Sequence, residues 1–108
     1  MNGFNSAGIS AMWDVVSEVA EVGLKGELDA HSAPTLDTLF DDLVAAGARS
    51  LVIDMSEVDF VDSSGLRALI RARQRFDGPQ PITILAPQTA TARLLEITGL
   101  TNQFSVEA

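Results

Sequence analysis

The chain contains no cysteine, a single histidine (His31) and a single lysine (Lys25). The missing thiols exclude disulfides, thiolate metal sites, iron–sulfur clusters and cysteine catalysis together. One histidine excludes a multi-histidine metal site within one chain. Bases are scarce altogether, with seven Lys and Arg against 15 Asp and Glu and a net charge of −8. Overall repulsion from phosphate argues against nucleic acid as the main ligand. No apolar run approaches the roughly 20 residues of a membrane span. No basic residue precedes Lys25, so the charged start of a signal peptide is missing. The cytoplasm is the expected location, away from any membrane. Neither a Gly-x-x-x-x-Gly-Lys loop nor a Gly-x-Ser-x-Gly elbow occurs, and with them go the P-loop and the α/β-hydrolase nucleophile.

What is present suffices for one folded domain. A chain of 108 residues, 46% of them hydrophobic, should bury roughly two-thirds of its unfolded surface. Residues 1–8 are small and polar with two glycines and are expected to fray, which leaves residues 9–108 as the domain. Residues 9–16 and 19–28 favour strand. In the second, Val22, Leu24, Gly26 and Leu28 alternate with Glu21, Gly23, Lys25 and Glu27, a period of two that buries one face. The short link at Ser17-Glu18 predicts a hairpin. A helix follows, with Ser32 as expected N-cap, Pro34 in the first turn and Asp37 favouring the positive end. Leu36, Leu39, Phe40, Leu43 and Val44 carry its apolar stripe, and Gly47 stops it.

Residues 50–55 (SLVIDM) read as a central strand covered on both faces. After a loop, residues 66–76 form a second helix, 81–86 a buried strand, 90–100 a third helix and 104–107 a last short strand. Strands alternating with helices predict an α/β fold, a mostly parallel central sheet with an antiparallel N-terminal edge and three helices.

The loop is the informative segment. Residues 54–66 read DMSEVDFVDSSGL, an acidic stretch that leaves a central strand and enters a helix, the place where open α/β sheets meet ligands and partners. Asp62, Ser63 and Ser64 are all competent N-caps. With either Asp62 or Ser63 as cap, a hydroxyl sits at the positive end of a helix, where a phosphate would meet backbone donors and a favourable dipole. Gly65 lets another backbone approach closely.

Two motifs carry a family resemblance. Gly26-Glu27-Leu28-Asp29 closes the second strand, and the DMSEVDFVDSSGL segment combines a strand-ending acid, a spaced Ser-x-Val-x-Phe and Asp-Ser-Ser-Gly-Leu. Both resemble the STAS domain family, and within it the stand-alone bacterial anti-sigma factor antagonists. Leu94, Leu95, Thr98, Gly99 and Leu100 resemble that family's third-helix ending. The resemblance implies phosphorylation of the first serine of the pair, Ser63, by a partner that is itself an anti-sigma factor with serine kinase activity. It also implies that a phosphatase reverses the modification, that Asp29 helps engage the partner, and that the protein is a binding switch rather than an enzyme, with no cofactor. The expected partner-binding set is Asp29, His31, Asp62, Ser64, Gly65, Leu66 and Arg67. A STAS subunit of another assembly, such as a lipid-transport or stress-signalling complex, keeps the same fold with a different partner.

Other features compete less well. A Ser63-His31-Asp29 hydrolase would need a buried orienting acid and an oxyanion hole, and the Gly-x-Ser-x-Gly elbow is missing. Asp54 ends a central strand, as the phospho-accepting aspartate of a receiver domain does, but the required later lysine is missing. Residues 66–76 hold Arg67, Arg71, Arg73 and Arg75 and no acid, so this segment carries +4 and the rest of the chain −12. Arg67, Arg71 and Arg75 are four apart and share a helix face. Their expected role is pairing with nearby acids; a docking stripe for an acidic partner is the sharper alternative.

Overall fold

Alternating apolar and polar residues build most of a single sheet. The computed structural model describes residues 2–108. The elements run β1 (Asn2–Ser6), β2 (Ile9–Val16), β3 (Val19–Leu28), α1 (Ala33–Ala45), β4 (Ser50–Val61), α2 (Ser63–Arg75), β5 (Ile82–Leu85), α3 (Thr89–Ile97), a short 3-10 turn (Leu100–Asn102) and β6 (Ser105–Glu107). The strands lie in sequential order in the sheet. β1, β2 and β3 pair antiparallel, and β3 through β6 pair parallel. This is the α/β architecture expected from the sequence. Right-handed crossovers that all advance in one direction place α1, α2 and α3 on one face. The core accordingly joins Leu24, Ile53 and Ile84 of the sheet to Phe40, Leu69 and Leu95 of the helices. The opposite face is open, with Met12 and Val16 exposed.

The fraying expected over residues 1–8 is corrected by β1. Met1 lies outside the described residues, but residues 2–6 pair with residues 9–13 of β2. Phe4 packs edge-on against Trp13, with ring centroids 5.6 Å apart. Ala7 (φ 56°) and Gly8 (φ 80°) form the connecting turn, and Ser17 (φ 51°) and Glu18 (φ 67°) form the β2–β3 turn in the same way. Two successive left-handed residues match the twist of a hairpin.

The loop expected over residues 54–66 is also corrected, because β4 continues to Val61. Between the Gly23–Asp54 and Lys25–Glu57 pairs, and again between Gly26–Val58 and Glu27–Phe60, β4 carries one residue more than β3. These bulges change the spacing of buried residues from two (Leu51, Ile53, Met55) to three (Met55, Val58, Val61). A period-two reading therefore ends at Met55. The first bulge is closed by the Ser56 N–H donating to Asp54 Oδ1 at 2.9 Å. The Gln88 side chain, just before α3, reaches across to the Ser56 carbonyl at 3.1 Å and to Asp59 Oδ1 at 3.3 Å.

β3 and α2 meet at one tight contact. The Asp62 N–H donates to the Leu28 carbonyl at 3.0 Å. A Cβ on Gly65 would stand 2.5 Å from that same oxygen and 2.7 Å from the Leu28 Cβ. Backbone cannot yield as a flexible side chain does, so only glycine fits there. Gly65→Ala is expected to destabilise the protein by about 1–3 kcal/mol, measured by urea denaturation; a variant as stable as the parent contradicts this packing.

Candidate functional site

The carboxyl ends of β3 and β4 bring the two sequence motifs together. At the end of β3, Gly26 adopts φ 120°, and a Cβ there would collide with the Gly8 carbonyl. Glu27 is exposed and Leu28 enters the core. Asp29 then organises the turn into α1: its Oδ1 accepts the N–H of His31 at 2.9 Å and of Ser32 at 3.0 Å. Ser32, expected as an N-cap, makes no side-chain cap. It is buried, and its hydroxyl instead accepts the Asp29 N–H at 3.0 Å and donates to the Glu27 carbonyl at 2.7 Å. The Asp29 carboxylate orders the turn that leads into α1, while Ser32 keeps the N-cap position through its carbonyl, which accepts the Leu36 N–H at 3.1 Å. His31 enters through its backbone, with its residue exposed.

At the start of α2 the two capping alternatives resolve to Asp62. Its backbone is extended, and its Oδ1 accepts the N–H of Ser64 at 2.8 Å and of Gly65 at 3.0 Å. Ser63 becomes the first helical residue and is exposed. Ser64 is half-buried and lines a shallow cleft of about 170 Å³ with Pro34, Arg67 and Arg71. Gly65 and Leu66, expected on the partner-binding surface, turn inward instead: Gly65 packs on Leu28, and Leu66 is 7% exposed. This packing fixes the position of the serines beside them.

Phe60, the last residue of the Ser-x-Val-x-Phe segment, is exposed, which the motif does not show. The β4 bulges turn it outward, leaving it 49% exposed beside Glu27, three residues before Ser63. The triplet spacing of Met55, Val58 and Val61 was the available signal, since it leaves position 60 off the buried face.

The arginines are mostly committed. Arg71 makes a forked contact with Asp37, Nη2 to Oδ2 at 2.8 Å and Nε to Oδ1 at 3.2 Å. Arg75 reaches Asp37 Oδ1 at 3.4 Å and Asp41 Oδ1 at 3.0 Å. Arg73 donates to the Gln103 carbonyl at 2.7 Å. Asp37, expected to serve the positive end of α1, lies beyond the first turn and clamps α2 to α1 instead. Pairing with acids thus accounts for Arg71 and Arg75, while Arg67 is exposed.

The turn geometry has an electrostatic consequence. The Ser32 backbone N–H holds the Asp29 carboxyl below its ordinary value of 3.8; desolvation partly offsets this, and the His31 N–H adds to it. The Ser56 N–H, aided by the Ser56 hydroxyl, lowers Asp54 in the same direction. Such a carboxylate favours the folded state fully above its unfolded value, and the contribution disappears as pH falls through the lower folded value. NMR titration is therefore expected to place the Asp29 midpoint below 3.8, and Asp29→Asn should flatten the acid limb of the stability profile. A midpoint at or above the ordinary value contradicts the turn geometry.

With the site in view, comparison with known proteins is informative. The family model for the STAS domain matches residues 5–108. The anti-sigma-F factor antagonist RsfB of Mycobacterium tuberculosis is 30% identical over 86 residues, covering 80% of this chain and 70% of that protein. The crystal structure of an anti-sigma factor antagonist from Mycobacterium paratuberculosis superposes with a TM-score of 0.81 at 30% identity, over 95% of this chain and 88% of that one. The phosphorylated form of the Bacillus cell fate determinant SpoIIAA shares the fold, with a TM-score of 0.68 at 19% identity, over 91% of each chain. A matched family model running from β1 to the final strand, on a sheet of this topology, leaves one assignment: the chain belongs to the STAS domain family.

Proposed function

We propose that this protein is an anti-sigma factor antagonist: unmodified, it binds an anti-sigma factor with serine kinase activity and so releases the sigma factor, and phosphorylation of Ser63 switches that binding off. On this reading a phosphatase restores the active form, the setting is cytoplasmic, and the protein is a substrate and binding partner rather than an enzyme. The observation that carries the proposal is the exposed Ser63 hydroxyl at the first position of α2, held there by the Asp62 cap. The names of the relatives at 30% identity point the same way.

The chemistry of the surface supports a charge-operated switch. Asp29, Asp59 and Asp62 surround the carboxyl ends of β3 and β4, so the site is already acidic. A phosphoserine adds roughly −1.5 to −2 charges at neutral pH. Burying that charge unpaired in an interface costs several kcal/mol, and each about 1.4 kcal/mol is tenfold in affinity. Exposed Phe60 supplies an aromatic anchor of the kind that concentrates binding energy. A local modification can then decide docking without a change of fold.

The test is capture of the partner from native cytoplasm with three baits. The wild-type and Ser63→Ala baits are expected to retain an anti-sigma factor, and Ser63→Asp to lose it. Phe60→Ala should weaken capture at least about tenfold with an unchanged thermal transition. Incubation with the captured kinase and ATP should add one phosphate to wild type and none to Ser63→Ala by intact mass. Undiminished capture by Ser63→Asp removes the proposed switch.

A further inference from the structure

From the sequence, a phosphate on Ser63 is expected to meet the free amides of the helix start. The structure leaves few of them. The N–H groups of Ser64 and Gly65 are taken by the Asp62 carboxylate, and that of Leu66 by the Asp62 carbonyl at 2.9 Å. Another donor is needed, and α2 carries one. Arg67 stands four residues after Ser63, on the same helix face, with the anionic position N-terminal to the cationic one, the favourable order. Arg71, Arg73 and Arg75 are engaged with Asp37, the Gln103 carbonyl and Asp41. Among the described residues Arg67 makes no ion pair, and the nearby carboxylates of Asp37, Asp29 and Asp62 already have partners.

We propose that Arg67 is the intramolecular counter-ion of the phosphate carried by Ser63, so that phosphorylation both adds an anion to the docking surface and withdraws the free guanidinium of α2. This rests on the reading of Ser63 as the phosphorylated residue. In the modification itself, a bond forms between Ser63 Oγ and the γ-phosphorus of ATP. The bond from that phosphorus to the ADP oxygen breaks, and the hydroxyl proton passes to a base of the kinase or to solvent. The guanidinium fork then matches two phosphate oxygens. Capture of Arg67 also removes a cation that an acidic segment of the partner could otherwise use.

The test installs phosphoserine at position 63 of the full chain during translation, which requires neither kinase nor partner. The phosphate is titrated by ³¹P NMR in the parent and in Arg67→Gln, Arg67→Lys and Arg73→Gln. Asp29 and His31 on the β3–α1 turn, Asp62 at the cap, and Asp37 and Arg71 across the cleft are common to all four proteins, so differences between variants report the substituted arginine. The second ionisation of the parent is expected below the free value of about 6. Arg67→Gln should raise it by about 0.3 pH units, Arg67→Lys by less, and Arg73→Gln not at all. Superimposable curves for the parent and Arg67→Gln overturn the proposal, as does an equal shift in Arg73→Gln. Amide spectra of each variant check that the fold is intact. Failure of the kinase to modify Ser63 is a separate result, read by intact mass, and bears on the function rather than on this pairing.

Discussion

The contact between Gly65 and Leu28 underlies the whole of the site. A helix and a strand separated by 34 residues in sequence are joined with no room for a methyl group, and the Asp62 N–H bonds the same Leu28 carbonyl. This fixes where α2 begins relative to the end of β3. The Asp29 turn follows Leu28 directly, and Ser63 follows Asp62 directly. One close approach of backbones therefore sets both halves of the surface, the carboxylate-organised turn and the serine-bearing helix start. Leu66 turns into the core beneath them and closes the arrangement from inside.

The acids around this junction have different tasks despite their shared charge. Asp29 and Asp62 each accept two backbone N–H groups and shape the chain. Asp54 closes a bulge, and Asp59 receives the Gln88 side chain. Asp37 stands apart from them, tying α1 to α2 through Arg71 and Arg75. These are partly exposed pairs, so their worth lies in orientation more than in stability. With the local carboxylates held by backbone donors, the surface has little capacity to absorb a further negative charge. Arg67 is the nearby exception, and that contrast is what makes a modification at Ser63 consequential.

Much of this was legible in the sequence. The alternation of β3, the three- and four-residue spacing of α1 and the apolar runs of β4 and β5 translate directly into the sheet and its helices. β1 escaped because its one large apolar residue, Phe4, offers no alternation, and because Ala7 is an uncommon residue for a left-handed turn. The far half of β4 escaped because its bulges replace the period of two by one of three, which also hid Phe60. Within the site, residue types identified Asp62, Ser63 and Ser64 as a helix start but did not decide which one caps. Ser32 holds the N-cap position without a side-chain cap for a similar reason: its hydroxyl can bond other nearby groups, and the burial that turns it toward the Glu27 carbonyl depends on the packed turn. The pairing of the arginines needed the position of α1 against α2, which no local pattern supplies.

The central claim is that charge on one exposed hydroxyl governs whether a partner can dock. Calorimetric titration of the anti-sigma factor with protein carrying either serine or phosphoserine at position 63 addresses it most directly. The account predicts that the phosphorylated chain binds at least about a hundredfold more weakly, equivalent to about 2.7 kcal/mol, with the fold unchanged. Equal affinities for the two forms would contradict it.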